Sequence, residues 1–139
     1  MKYLITIFIF ICLTSFNVLA DKSCTVTKVI DGDTVHAMCG KKDTKIRLTT
    51  IDSYESKRNN RAFRQAYQER ITVEEVVSKG KQATIIAKKE LMGKKIIVVP
   101  PKKGPATDMY NRSLGEVFVD GVNVNQKMLK EHPDVFLKY

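Results

Sequence analysis

Asp31-Gly32 sits between two runs of β-forming residues, Ser23–Ile30 and Thr34–Cys39. An Asp-Gly pair flanked by apolar and β-branched residues is a strong signal of a tight hairpin. Such turns need positive φ, which Gly adopts without steric penalty. A hairpin closed there puts Cys24 opposite Cys39. After a polar turn at 41–44, Lys45–Ile51 supplies a third run of strand character. The start of this region is therefore predicted to be a three-stranded antiparallel meander.

Beyond Asp52 the pattern changes. Residues 52–70 are polar and rich in Arg (Arg58, Arg61, Arg64, Arg70), predicted as a loop with a helical piece. From Val73 the apolar residues fall at helical spacing: Val73, Val76, Val77, Ala83, Ile86, Ala87 and Leu91. Thr72 can cap that helix, Glu74 and Glu75 suit its first turn, and Gly93 ends it. Lys95–Val99 and Leu114–Val119 are two further strands, and Asn123 to about Lys130 is a last short helix. The order β-β-β-α-β-β-α gives an α+β, mainly β fold. It is a five-stranded OB-type barrel with a long helix between strands three and four and a short C-terminal helix.

Residues 1–20 follow a different logic. Lys2, the apolar run from Tyr3 to Leu13, and Val18-Leu19-Ala20 form the pattern of a secretory signal peptide cut after Ala20. The apolar run is short of the ~20 residues that a membrane-spanning helix needs. The expected domain is 21–139, secreted or periplasmic, monomeric, and without stable membrane association once the leader is removed. Of the three cysteines, Cys12 would leave with the leader. In an oxidising compartment Cys24 and Cys39 are then expected to form a disulfide. A zinc site from Cys24, His36, Cys39 and His132 is the alternative use of the same residues.

Several chemistries are excluded. There is no G-x-G-x-x-G and no G-x-x-x-x-G-K-[ST], so neither a Rossmann nor a P-loop site is present. Two histidines cannot build an all-His zinc site. The balance of 24 Lys+Arg against 15 Asp+Glu gives a formal net charge of +9, which favours polyanionic partners. Against that background a small acidic set stands out: Asp33 after the hairpin turn, Asp52 at the end of the third strand, and Glu55. Adjacent strand ends can bring these carboxylates together. Oxygen ligands without His or Cys select Ca²⁺ or Mg²⁺. Arg47 and Arg112 accompany them, and a guanidinium suits phosphate because its fork bonds two oxygens and stays charged.

These residues fall into a recognisable series. It comprises Val29-Ile30-Asp31-Gly32-Asp33-Thr34-Val35, Arg47-Leu48, Ile51-Asp52-Ser53-Tyr54-Glu55, Asp108-x-Tyr110-x-Arg112-x-Leu114 and Asp120-Gly121-x-x-Val124-Asn125. From about Thr25 to Lys130 the chain resembles the thermonuclease, or staphylococcal-nuclease-like, family. The resemblance implies a Ca²⁺-dependent phosphodiesterase acting on DNA and RNA. It assigns Ca²⁺ to Asp33 and Asp52, with the Ser53 carbonyl assisting. It makes Glu55 the general base, Arg47 and Arg112 the phosphate clamp, and Tyr110 a substrate contact. The chain departs from the family pattern at Ser53-Tyr54, where Thr-Pro is usual, and at Met109, where Lys is frequent. Residues 56–72 are expected to be a lid, a DNA-contacting arm or a spacer, and Phe136 or Tyr139 is expected to flank a bound base. The competing reading is a non-catalytic OB module that binds nucleic acid or protein.

Overall fold

The computed structural model describes residues 21–139, so the expected leader at 1–20 lies outside the described residues. Strands β1 (Lys22–Asp31), β2 (Thr34–Cys39) and β3 (Lys42–Leu48) form the predicted meander. After them come β4 (Ile51–Ser53), α1 (Asn60–Glu69), α2 (Val73–Leu91), β5 (Lys95–Val99) and β6 (Ser113–Val119). The chain closes with β7 (Val122–Asn123), α3 (Val124–Glu131) and β8 (Phe136–Lys138). Antiparallel pairing runs β3-β2-β1-β5-β6, and a parallel pairing of β3 with β6 completes a five-stranded barrel. No helix among the described residues is long and apolar enough to cross a membrane.

The hairpin register pairs Thr25 with Met38 and Val26 with Ala37, which brings Cys24 against Cys39. The two are joined by a disulfide with Cα atoms 4.2 Å apart, leaving no thiolate for the zinc alternative. Cross-links closing a loop of this size stabilise by about 3 kcal/mol, mainly by restricting the unfolded chain. Past Val26 the register shifts at a bulge. Val29 rather than Lys28 therefore faces inward, and a second shift after Val29 carries Asp31 to Thr34 as partner.

The barrel interior is filled by Val26, Val35, Ala37, Ile46, Leu48, Ile96, Val98 and Val117, all buried. Helix α2 closes one end with Ala83, Ala87 and Leu91. It begins with a complete capping box: Thr72 accepts from the Glu75 amide, and Glu75 accepts from the Thr72 amide. Gly93, at φ 71°, ends it.

Three local expectations change. The third strand starts at Lys42 and stops at Leu48, because Thr50 adopts φ 66° and turns the chain. Ile51–Ser53 then forms a separate strand paired with β8, a long-range contact that no local pattern encodes. Phe136 is buried in the core and cannot flank a ligand, whereas Tyr139 remains exposed.

Candidate active site

Gly32 and Asp33 form the tip of the β1–β2 hairpin. A Cβ on Gly32 would stand 2.7 Å from the Cβ atoms of both Ala83 and Ser53, so only Gly lets the turn pack against α2 and β4. That packing buries Asp33. Its carboxylate accepts from the Ser53 amide at 2.9 Å and from the Thr34 hydroxyl at 3.0 Å. Asp52 lies on β4 beside it. The two carboxylates share one cation: Arg47 Nη2 is 2.9 Å from Asp52 Oδ1 and 3.4 Å from Asp33 Oδ2. Arg47 is itself mostly buried, and its Nη1 donates to the carbonyls of Leu48 and Ile51.

Both acids are held above the ordinary carboxylate range. For Asp33 the leading cause is burial, followed by the charge of Asp31, with Arg47 opposing. For Asp52 burial again leads, Arg61 opposes it, and Asp33 adds to it. Paired oxygen acids in a buried corner are a donor set for a hard divalent cation, whose charge relieves both desolvation and mutual repulsion. The fit is to a two-carboxylate site completed by other oxygens. Among the described residues no three His, Cys, Asp or Glu side chains form a ready-made metal cluster.

Ser53 and Glu55 stand differently from the simple expectation of converging ligands. The Ser53 amide binds Asp33, while its carbonyl accepts from Gln65 Nε2 at 3.1 Å. Glu55 does not join the Asp pair directly. Its Oε1 is 3.0 Å from Arg61 Nη1, and its Oε2 accepts from Asn59 Nδ2 at 2.8 Å. Arg61 Nη2 also contacts both oxygens of Asp52, at 2.7 and 2.9 Å. Arg61 thus bridges Asp52 and Glu55, although in the sequence it is one Arg among several in a basic segment. Asn59 and Gln65 also join the site without a sequence motif to mark them. Their one signal is the polar residues placed around the short apolar pair Ala62 and Ala66 at the start of a helix.

Beside the carboxylates opens a cleft of about 340 Å³, lined by Arg47, Arg61, Asp108, Arg112, Leu114 and Tyr139. Three guanidinium groups therefore face one space. Arg112 is aimed by Asp108, whose Oδ2 accepts from Arg112 Nε at 2.7 Å. Burial opposes ionisation of Asp108, yet bonds from the Arg112 amide and guanidinium outweigh it and hold the carboxyl below its ordinary value. Tyr139 closes one side, its ring centroid 5.9 Å from the Arg47 guanidinium carbon. Tyr110 is not among the residues lining the cleft. It is 72% exposed, under the Arg112 guanidinium carbon at 5.5 Å from the ring centroid.

An arrangement of this kind can grip a phosphate between guanidiniums, next to an oxygen site for a cation and a carboxylate able to accept a proton. Comparison with known proteins agrees. Residues 45–132 match the family model described as staphylococcal nuclease homologue. An uncharacterized endonuclease of Escherichia coli O157:H7 is 33% identical over 112 residues, covering 80% of this chain and 58% of the relative. Endonuclease YncB of Bacillus subtilis is 34% identical over 108 residues, covering 77% of this chain and 44% of the relative. An uncharacterized protein of Methanocaldococcus jannaschii is 30% identical over 112 residues, covering 76% and 54%. The chain thus spans about half the length of these curated relatives. By its matched residues and its barrel, the chain belongs to the staphylococcal nuclease homologue family.

Proposed function

We propose that this chain is a Ca²⁺-dependent phosphodiesterase that hydrolyses DNA and RNA with little sequence preference, exported as a monomer after loss of its leader. The observation that carries this reading is the joint placement of Asp33 and Asp52 on Arg47, at the edge of a cleft that Arg61 and Arg112 also line. Asp33 and Asp52 would hold the cation, with the second lone pair of the Ser53 carbonyl available to it. When bound, Ca²⁺ would polarise a phosphoryl oxygen and offset its charge.

The remaining work falls to the chain's own groups. Arg47 is fixed by two backbone carbonyls and two carboxylates, so its charge is already oriented before substrate arrives. Arg112 is oriented by a single carboxylate, that of Asp108. Preorganised cations favour the five-coordinate phosphorus over the ground state, because negative charge grows on its equatorial oxygens. Glu55 is the proton acceptor for the attacking water. Neither histidine lines the cleft: His36 is turned to Asp43 on the barrel wall, at 3.1 Å, and His132 stands at the C-terminal end of α3. Arg61 competes with the cation for Asp52 and occupies Glu55 at rest, so it must turn from both toward the phosphate for the reaction to proceed.

The test is digestion of plasmid and of single-stranded RNA with Ca²⁺ and with EDTA. Cleavage that requires Ca²⁺ and returns on its re-addition is the expected result. Tight binding without cleavage in either condition would favour the non-catalytic module, and equal cleavage in both would remove the metal from the account.

A further inference from the structure

Helix α1 lies in the segment for which family resemblance supplies no role. Its inner face is small, with Ala62, Gln65 and Ala66 buried. Its outer face carries Phe63, 51% exposed, and Tyr67, 88% exposed. These two fall one turn apart, about 6 Å along the helix axis. Arg64 lies next to them on the same face, and Arg61 on the edge toward the cleft. Neither ring belongs to the buried core clusters, and Tyr67 in particular is left almost wholly to solvent. The segment 57–70 is also strongly basic, with Lys57, Arg58, Arg61, Arg64 and Arg70 against Glu69 alone. The Arg58 guanidinium carbon stands 5.3 Å from the Phe63 ring centroid while its Nη1 pairs with Glu74, an exposed ion pair that a phosphate can replace, so charge and ring already alternate on the surface.

The helix is also fixed to the candidate site. Gln65 is 5% exposed. Its Oε1 accepts from the Glu55 amide at 2.9 Å, and its Nε2 donates to the Ser53 carbonyl. Asn59 caps the helix by accepting from the Ala62 amide and at the same time donates to Glu55. A strand lying on the outer face would therefore hold a set register to the cleft.

We propose that the outer face of α1 is a stacking platform for a single-stranded stretch of nucleic acid leading into the cleft. The inference rests on the phosphodiesterase reading for the identity of the strand. Tyr67 and Phe63 take unpaired bases on their π-faces, Arg64 and Arg58 take phosphates, and Arg61 passes the backbone to Arg47 and Arg112. Alternating rings and guanidiniums match a polyanion with planar bases. The face offers no aliphatic side chain for a membrane or an apolar protein surface, and paired bases in a duplex have no free faces to give.

The experiment is fluorescence anisotropy in EDTA at low salt, where nothing is cut. It uses a labelled single strand of about 20 nucleotides, longer than the ~4–16 covered by one OB-type site, and a duplex of equal length. Tyr67→Ala is expected to weaken single-strand binding about five- to 150-fold, the effect of losing one stacked base. Tyr67→Phe keeps the ring and is expected to bind within about twofold of wild type, and duplex affinity in Tyr67→Ala to fall by less than about threefold. Unchanged single-strand binding in both Tyr67→Ala and Phe63→Ala/Tyr67→Ala overturns the platform. So does an equal loss on duplex, or a loss in Tyr67→Phe as large as in Tyr67→Ala. Sedimentation showing a dimer that Tyr67→Ala dissociates would assign the face to a second copy instead, and also overturns it. Cleavage by wild type with no binding change in the variants sinks the platform alone. Selective loss of binding in a chain that never cuts keeps the platform and sinks the phosphodiesterase reading.

Discussion

Gly80 sits midway along α2, where the loop carrying Glu55 crosses the helix. A Cβ placed on it would lie 2.6 Å from the Ser56 amide nitrogen and closer still to the Glu55 carbonyl carbon and oxygen. Ordinary contact begins near 3.4 Å, so Gly80→Ala forces backbone apart by about 1 Å. All three obstructing atoms are main chain, and no side chain can rotate out of the way. Two terms oppose each other. Ala gains about 1 kcal/mol over Gly in a helix interior. Overpacking against backbone costs about 1–3 kcal/mol, and the displaced loop also strains the Gln65 bonds to Ser53 and Glu55. The net is a loss of up to about 2 kcal/mol, with the strained Gln65 bonds tipping the low end toward the clash, and it lowers the melting temperature by up to about 8 °C for a domain of this size. Activity should fall further than stability. Glu55 is the proposed base, and displacing a reacting group by about 1 Å can cost on the order of 10²-fold in rate. The assay pairs a thermal melt with kcat measured well below the melting temperature at saturating Ca²⁺. A variant that melts higher than wild type and keeps its kcat would show that helix propensity alone governs the position, and would refute the steric reasoning.

Arg61→Gln removes the competitor for Asp52, so Ca²⁺ binding followed by calorimetry should tighten about two- to fivefold, the worth of a partly exposed ion pair; weaker binding would contradict the assigned competition. In EDTA, Asp33 binds its proton more tightly folded than unfolded, so its contribution to stability is complete below about pH 4 and is lost as pH rises through the raised folded value. The stability difference between wild type and Asp33→Asn should therefore move in favour of the variant as pH is raised above about 4. Denaturant titrations in EDTA across that range test this, and a difference independent of pH would exclude the raised value.

Those parts of the fold that rest on local pattern are legible in the sequence. The Asp31-Gly32 turn sets the hairpin and the opposed cysteines, and Thr72 with Glu75 marks the start of α2. Long-range features are not legible in this way. β4 pairs with β8 across more than eighty residues, and nothing in Ile51–Ser53 alone announces that partner. The extent of α1 is hidden too, because its apolar stripe is only Ala62 and Ala66, too little for periodicity to reveal its length. At the site, Asp33, Arg47 and Arg112 can be picked out because each sits near a strand end or turn whose position the pattern sets, whereas Asp52 lies at the centre of β4, a strand that the pattern merges into β3. Arg61 cannot, since a residue's place on a helix becomes a contact only when the helix is docked. Here that docking depends on the buried Gln65 bonds.

Glu55 acting as base beside the Asp33 and Asp52 pair is the step on which the proposed reaction most directly depends. The deciding measurement is the single-turnover cleavage rate of a labelled oligonucleotide by wild type and by Glu55→Gln, both saturated with Ca²⁺. Glu and Gln have nearly the same shape, so removing proton acceptance should slow cleavage on the order of 10²–10⁴-fold while leaving the melting temperature close to wild type. Rates equal within about twofold, in a range where general-base loss cannot hide, would contradict it.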